Sequence, residues 1–286
     1  VQNAGADAYN IAIGHNAGTA VTTGTNNTLI GALAGDALTD SDRNTAIGYN
    51  ALSSDTLGQY NTAVGFGSFT TQNFTTATNS YNTGLGYQAG MLVTTGVEST
   101  LIGGLAGDAL TTGQQNVALG YGALSADTLG NRSVAIGHSA LDSQNFTTAT
   151  NAYNVAVGYS AGTAVTTGIK NAMFGTLALS ASTTGQENVA IGHQALTADT
   201  KGQRNVAVGA NALDIQNFTT ATNSYNVAMG YAAGGAVTTG VENTLIGGQA
   251  GDALTNSDRN VAVGHVALST NTLGQYNTAI GYAALF

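Results

Sequence analysis

The sequence predicts an all-β protein: a parallel β-solenoid of sixteen short rungs, associated as a homotrimer. Three observations carry that prediction. A five-residue phrase (Asn, then Thr or Val, then Ala, then Ile or Val, then Gly) recurs along all 286 residues. Glycine supplies 40 residues and proline none. Charged residues make up 7% of a chain that is 43% hydrophobic, against about 25% charged in an ordinary soluble domain. Such a chain is too apolar for disorder, and it lacks both the proline and the glycine period of collagen.

The phrase reads Asn10-Ile11-Ala12-Ile13-Gly14 at its first occurrence and Asn277-Thr278-Ala279-Ile280-Gly281 at its last. Its closing glycines are separated by 17, 17, 17 and then 21 residues, as in Gly14, Gly31, Gly48, Gly65 and Gly86, and that quartet itself repeats. The higher period is 72 residues, so residues 1–286 read as one repeat domain of four super-repeats. The long gap has its own signature, with Gln72–Asn79 returning as Gln144–Asn151 and Gln216–Asn223. The sequence opens inside one rung's tail and stops inside another at Leu285-Phe286, with a polar cap at neither end. Solenoids need such caps, so a segment of a longer fibre is expected, or one whose ends other chains cover.

Each rung is expected to be extended chain. A glycine in every rung, beside Asn and Thr-Thr, disfavours helix by about 1 kcal/mol per glycine relative to alanine. The phrase alternates with period 2. With Asn as position 1, position 4 is Ile, Val, Leu, Met or Phe in all sixteen copies, and that column is expected to point into the coil. Position 2, mostly Thr or Val, suits a half-buried pleated surface. On the opposite parity, position 3 is Ala in eleven copies, position 5 is always Gly, and position 8 is Ala in fifteen, with Ser68 the exception. Side chains this small on an outer face predict close approach by another backbone. Sister chains around a common axis are one such backbone. Tight coiling of the chain upon itself is the alternative.

Position 1 is Asn except at Ser99 and Ser133. Its column predicts either an amide ladder along the stack or simply a turn entering the strand. Glycines such as Gly24, Gly58 and Gly96 mark a second turn, where positive φ is expected. At about 4.8 Å per rung, sixteen rungs span roughly 75 Å.

Other classes drop out on composition. No apolar run approaches the 18 or more residues of a membrane span. With no cysteine, neither a disulfide scaffold nor a thiolate metal site is available. A net charge of −9 argues against nucleic acid or an anionic membrane as partner.

The phrases Ser133-Val134-Ala135-Ile136-Gly137 and Asn188-Val189-Ala190-Ile191-Gly192 resemble the head repeats of YadA-like trimeric autotransporter adhesins. The longer run Asn44–Leu52 is similar to repeat regions of bacteriophage tail fibres. The resemblance covers all sixteen rungs. It implies a left-handed parallel β-roll, three chains side by side, and an extracellular, virion-surface or cell-surface role in attachment. The rungs are longer than the usual adhesin coil, and no stalk, membrane anchor or tail-fibre assembly domain falls within this sequence.

Catalytic chemistry finds little support. Asp40 and Asp42 share one turn, but the equivalent turns hold Thr112 with Gln114, Thr184 with Gln186, and Asn256 with Asp258. Asp36, Asp108 and Asp252 stand four or more rungs apart, too far to share an ion within one chain. His15, His138, His193 and His265 all occupy position 6, where Tyr is commonest. They read as corner residues interchangeable with Tyr, although one His from each of three chains would be able to meet at a trimer axis. Asn73-Phe74-Thr75 matches a glycosylation sequon, and elsewhere its loop is a candidate contact surface. No residue is therefore assigned a catalytic, cofactor-binding or metal role, and no cofactor is expected. The expected function is a structural and adhesive fibre segment, as in a phage tail fibre used for host attachment. A bacterial surface adhesin or self-assembling extracellular filament is the alternative, and a glycan-degrading spike enzyme a remote one. The partners expected are further copies of the chain and a host receptor such as a glycan or an outer-membrane protein.

Overall fold

The computed structural model describes residues 7–286. The chain is an all-β parallel solenoid of about sixteen turns, and no helix occurs among the described residues. It forms two compact units, one running up to His138 with Asn145–Asn151, the other comprising Ser139–Gln144 with Ala152–Phe286. In both, positions 2–4 of each rung form a three-residue strand paired in parallel with the same positions of the next. Thr45 aligns with Thr62 and Ile47 with Val64 in the first unit, and Val189 with Val206 in the second. Short second ladders accompany each long rung, Gly58–Gln59 on Thr78–Asn79, Gly130–Asn131 on Thr150–Asn151, and Gly202–Gln203 on Thr222–Asn223. The extra four residues of the long rung are thus taken up in its loop without shifting the main ladder, where Thr62 still meets Thr83.

Seventeen residues close one turn only because the backbone reverses sharply. The residue before each position-1 Asn or Ser has φ between +49° and +61° in every rung, from Tyr9 to Tyr276. None of the sixteen is glycine. Left-handed geometry costs an L-residue about 1–2 kcal/mol, so stacking against neighbouring rungs must hold it.

The parity expected from the sequence is present, but its two faces are exchanged. Position 3 points inward: Ala46, Ala63, Ala118, Ala156, Ala190 and Ala228 are fully buried, as are the position-8 residues Ala51, Ser68, Ala123 and Ala195. Position 4, expected to be the interior column, is never buried in any rung. The expectation that the Ala/Gly row faces sister chains is therefore corrected. The row lines the coil's own interior, as the alternative reading of tight internal coiling had it. The reason is volume. Most rungs fill a narrow coil with two methyl columns and one bulky side chain, the rungs of Leu29, Leu101, Met173 and Leu245 burying a second bulky group at position 3, and further methylenes in a filled core cost about 1–3 kcal/mol.

The bulky group comes from position 9 or position 12, with the other small or polar. Gly35 accompanies Leu38 and Gly107 accompanies Leu110, whereas Leu52 accompanies Asp55 and Leu196 accompanies Asp199. Leu38, Leu52, Leu110 and Leu196 are all fully buried. Bulk at position 3 and bulk at position 9 exclude each other between neighbours. A methyl on Gly35 would lie 2.8 Å from Leu29, and one on Gly84 2.7 Å from the buried ring of Phe69.

The amide ladder forms. Asn44 donates its backbone N–H to Asn27 Oδ1 at 2.9 Å, and Asn61 does the same to Asn44. The side-chain Nδ2 crosses the coil to a carbonyl of the second turn, as from Asn82 to Gly96 (2.8 Å) or Asn171 to Gly185 (2.9 Å). These amides are at most 2% exposed over most of the chain, so each must be paired. The second-turn glycines do not have the positive φ expected of them. They are small because a methyl on Gly113 would meet the Gly130 carbonyl oxygen at 2.6 Å.

At position 5 both constraints apply. Gly103 has φ +129°, and a methyl there would sit 2.5 Å from the carbonyl oxygen of Gly120 in the next rung. A close backbone approach was correctly expected; the approaching backbone is the chain's own. The adjacent Gly104 has no such φ, and its nearest neighbour would be Tyr121 at 3.4 Å. Gly103→Ala should therefore lower stability by about 1–3 kcal/mol or more, while Gly104→Ala changes it little. Denaturant titration of the two variants followed by circular dichroism checks the contrast. Equal effects would show that rung-to-rung backbone approach is not the constraint.

Candidate interaction face

With alanine inside, the strand's larger side chains point outward. Position 2 presents Thr or Val, and position 4 presents an aliphatic or aromatic side chain. Leu85, Leu119, Phe174, Ile191 and Met229 are each 40–46% exposed. Each unit thus carries an outward strip two side chains wide, apolar along one column and β-branched along the other. Contiguous exposed apolar surface marks an interaction site.

The strip is bordered by two different edges. On the side entering the strand stands the left-handed residue before Asn. Five of the six basic residues lie there: Arg43, Arg132, Lys170, Arg204 and Arg259. They are linked rung to rung. Arg204 Nε lies 2.8 Å from Glu187, with Lys170 3.5 Å from the same carboxylate, and Arg259 Nε 2.7 Å from Glu242. Arg43 donates to the Tyr60 hydroxyl at 3.1 Å, and Tyr60 stacks on Tyr81 at 5.0 Å. The Arg204 hydrogen bond holds the Glu187 carboxyl below its ordinary pKa. On the side leaving the strand stands position 6, an aromatic edge. Tyr49, Phe66 and Tyr87 stack successively at 5.4 and 5.5 Å.

The four histidines lie in this edge. His138 stacks on Tyr121 at 5.4 Å, and His265 Nδ1 lies 2.9 Å from the Gly248 carbonyl. They behave as corner aromatics, and no group of three or more His, Cys, Asp or Glu residues able to hold a metal occurs among the described residues. Asp40 accepts from the Thr23 hydroxyl, and Asp42 from Thr25 N–H at 2.7 Å, so both brace the preceding rung. In the long loops Asn73 and Thr75 are exposed and Phe74 is tucked inward.

Asp55, Asp127 and Asp199 were not singled out from the sequence, although each is followed 17 residues later by Gln72, Gln144 or Gln216. All three aspartates are fully buried. Asp55 accepts from Gly58 N–H (3.0 Å), Phe74 N–H (3.1 Å) and Gln72 Nε2 (2.7 Å). Gln72 Oε1 in turn accepts from Asn82 Nδ2 at 2.9 Å. Asp199 repeats the arrangement with Gly202, Phe218 and Gln216. An acceptor-only carboxylate at the head of this chain fixes the direction of both amides and anchors the long loop. Burial raises the carboxyl pKa of Asp55 and Asp199, opposed by these hydrogen bonds.

In comparisons with known proteins, no family model matches the chain, and no curated protein or solved structure matches it. No helix among the described residues is long and apolar enough to cross a membrane.

A carboxyl whose pKa is raised by folding binds its proton more tightly in the folded state. Its contribution to stability is complete below the unfolded pKa and declines as pH rises through the folded one. Burial also raises Asp36, Asp214 and Asp252, whereas the lowered Glu187 acts in the opposite sense from an exposed position. The melting temperature should therefore hold or rise between pH 7 and pH 4, and Asp55→Asn with Asp199→Asn should flatten that slope. Thermal melts across this range check it, and a steady fall on acidification contradicts it.

Proposed function

We propose that this chain is a structural and adhesive segment of an extended homotrimeric fibre, of the kind phage tail fibres use for host attachment. It is read as a left-handed β-roll, lying outside the cell or on the surface of a virion, with further copies of itself and a host receptor as partners. The observation that carries the proposal is the outward aliphatic column. Apolar residues occupy position 4 in every rung of both units, Phe174 and Met229 among them, while alanine takes the inward positions 3 and 8 in most rungs. A surface so regular and so poor in charge fits a partner with the same repeat, and the identical chain is such a partner. Closed cyclic association would pair the aliphatic column of each copy with that of the next.

The resemblance of Asn188–Gly192 to adhesin head repeats supports the same architecture on a bacterial surface as the second reading. Asp40 and Asp42 are occupied with Thr23 and Thr25, which favours neither reading and lends the spike-enzyme alternative no support.

Light scattering of the purified chain should give three times 28.5 kDa at micromolar concentration. Replacing Ile47, Ile102 and Ile136 together by Lys should reduce this to a single-chain mass while circular dichroism remains that of a β-solenoid. A wild-type mass of one chain would refute the trimer.

A further inference from the structure

The break in the aromatic edge at Gly104 has the geometry of a stack with its middle ring removed. Tyr49, Phe66 and Tyr87 occupy position 6 of three successive rungs, with interplanar angles of 20° and 17°. The next rung places Gly104 there, and the one after it Tyr121, which stacks onward with His138. Tyr87 and Tyr121 therefore each keep one face uncovered toward Gly104, and they are 54% and 57% exposed. Two rungs separate them, about twice the inter-rung spacing, so a ring placed between them would be within stacking range of both.

Neither backbone nor packing demands glycine at this place. Gly104 lies outside the left-handed region, and a methyl would have only an ordinary contact with Tyr121 at 3.4 Å. What an aromatic side chain at 104 would fill is the slot itself. A glycine also stands at position 6 between Tyr231 and His265, but there the 2.9 Å contact of His265 Nδ1 with the Gly248 carbonyl draws the imidazole onto the glycine.

The rim is uncharged. Positions 6 and 7 contain no Lys, Arg, Asp or Glu in any rung, and Gln88 and Gln249 stand at position 7 beside Tyr87 and Gly248. Two aromatic faces with a neutral amide at the mouth suit a ring whose faces carry C–H groups and whose rim carries hydroxyls. We propose that the Gly104 slot binds one ring of a neutral saccharide, a proposal that rests on the adhesive reading and names its ligand class. The net charge of −9 works against anionic saccharides through long-range repulsion.

The test uses the full chain labelled with 3-fluorotyrosine and titrated with maltohexaose, cellohexaose and N-acetylchitohexaose at millimolar concentrations. Tyr87 and Tyr121 signals, assigned with the Tyr→Phe variants, should shift saturably with at least one of the three. Gly104→Leu fills the slot from a half-buried position and should weaken that binding by about tenfold or more, with an unchanged melting temperature. Tyr121→Ala, which removes one wall, should do the same. No shift with any of the three, or equal binding by Gly104→Leu, overturns the proposal. Mass is measured on the same samples. A single-chain mass with saccharide binding refutes the trimer and leaves the slot intact, whereas a threefold mass without binding refutes the slot alone.

Discussion

Everything in this structure depends on how closely one rung lies upon the next. Parallel ladders bring successive backbones to about 4.8 Å. At Gly103 that approach leaves no space for a methyl beneath the carbonyl of Gly120. The same spacing lets Asn27, Asn44 and Asn61 hand hydrogen bonds from one rung to the next. It also brings Tyr49 and Phe66 into stacking range on the outside. Side chains in register along such a stack either bond to their own kind or must be small.

The narrow interior follows from the short coil and governs its composition. In rungs with alanine at positions 3 and 8, one bulky group from position 9 or 12 completes the filling. Where position 9 supplies it, position 12 becomes free for a polar residue, and the buried Asp55–Gln72–Asn82 relay occupies that allowance. Buried polar groups are tolerated only when fully paired, and here each member has its partner. The long loop is thereby tied to the interior through Phe74 and Asp55, which accounts for a 21-residue rung leaving the main ladder undisturbed.

Because alanine takes most of the inward strand positions, the larger apolar side chains of the strand are carried on the outside. The fibre reading rests on this displacement of Ile and Val to the surface. The two edges of the strip differ in chemistry, charged and hydrogen-bonded on one side and aromatic on the other.

Much was legible in the chain itself. The rung length, the parallel order, the 72-residue period and the alternation of the phrase follow from repetition alone, since identical segments stacked in sequence can pair only with their own equivalents. The asparagine column was legible as one of two options, because stacking places like beside like. Which parity faces inward was not. Periodicity of two separates Ala46 from Ile47 but says nothing of the volume available on either side. The usual preference for burying the larger apolar residue pointed the wrong way. Nor was the role of Asp55, whose partner Gln72 is adjacent only once a turn has closed. Sequence by itself determined that the chain stacks, and with what period. Tertiary structure decided what lies within the stack, because interior width is set by where the backbone turns rather than by any residue's own preference.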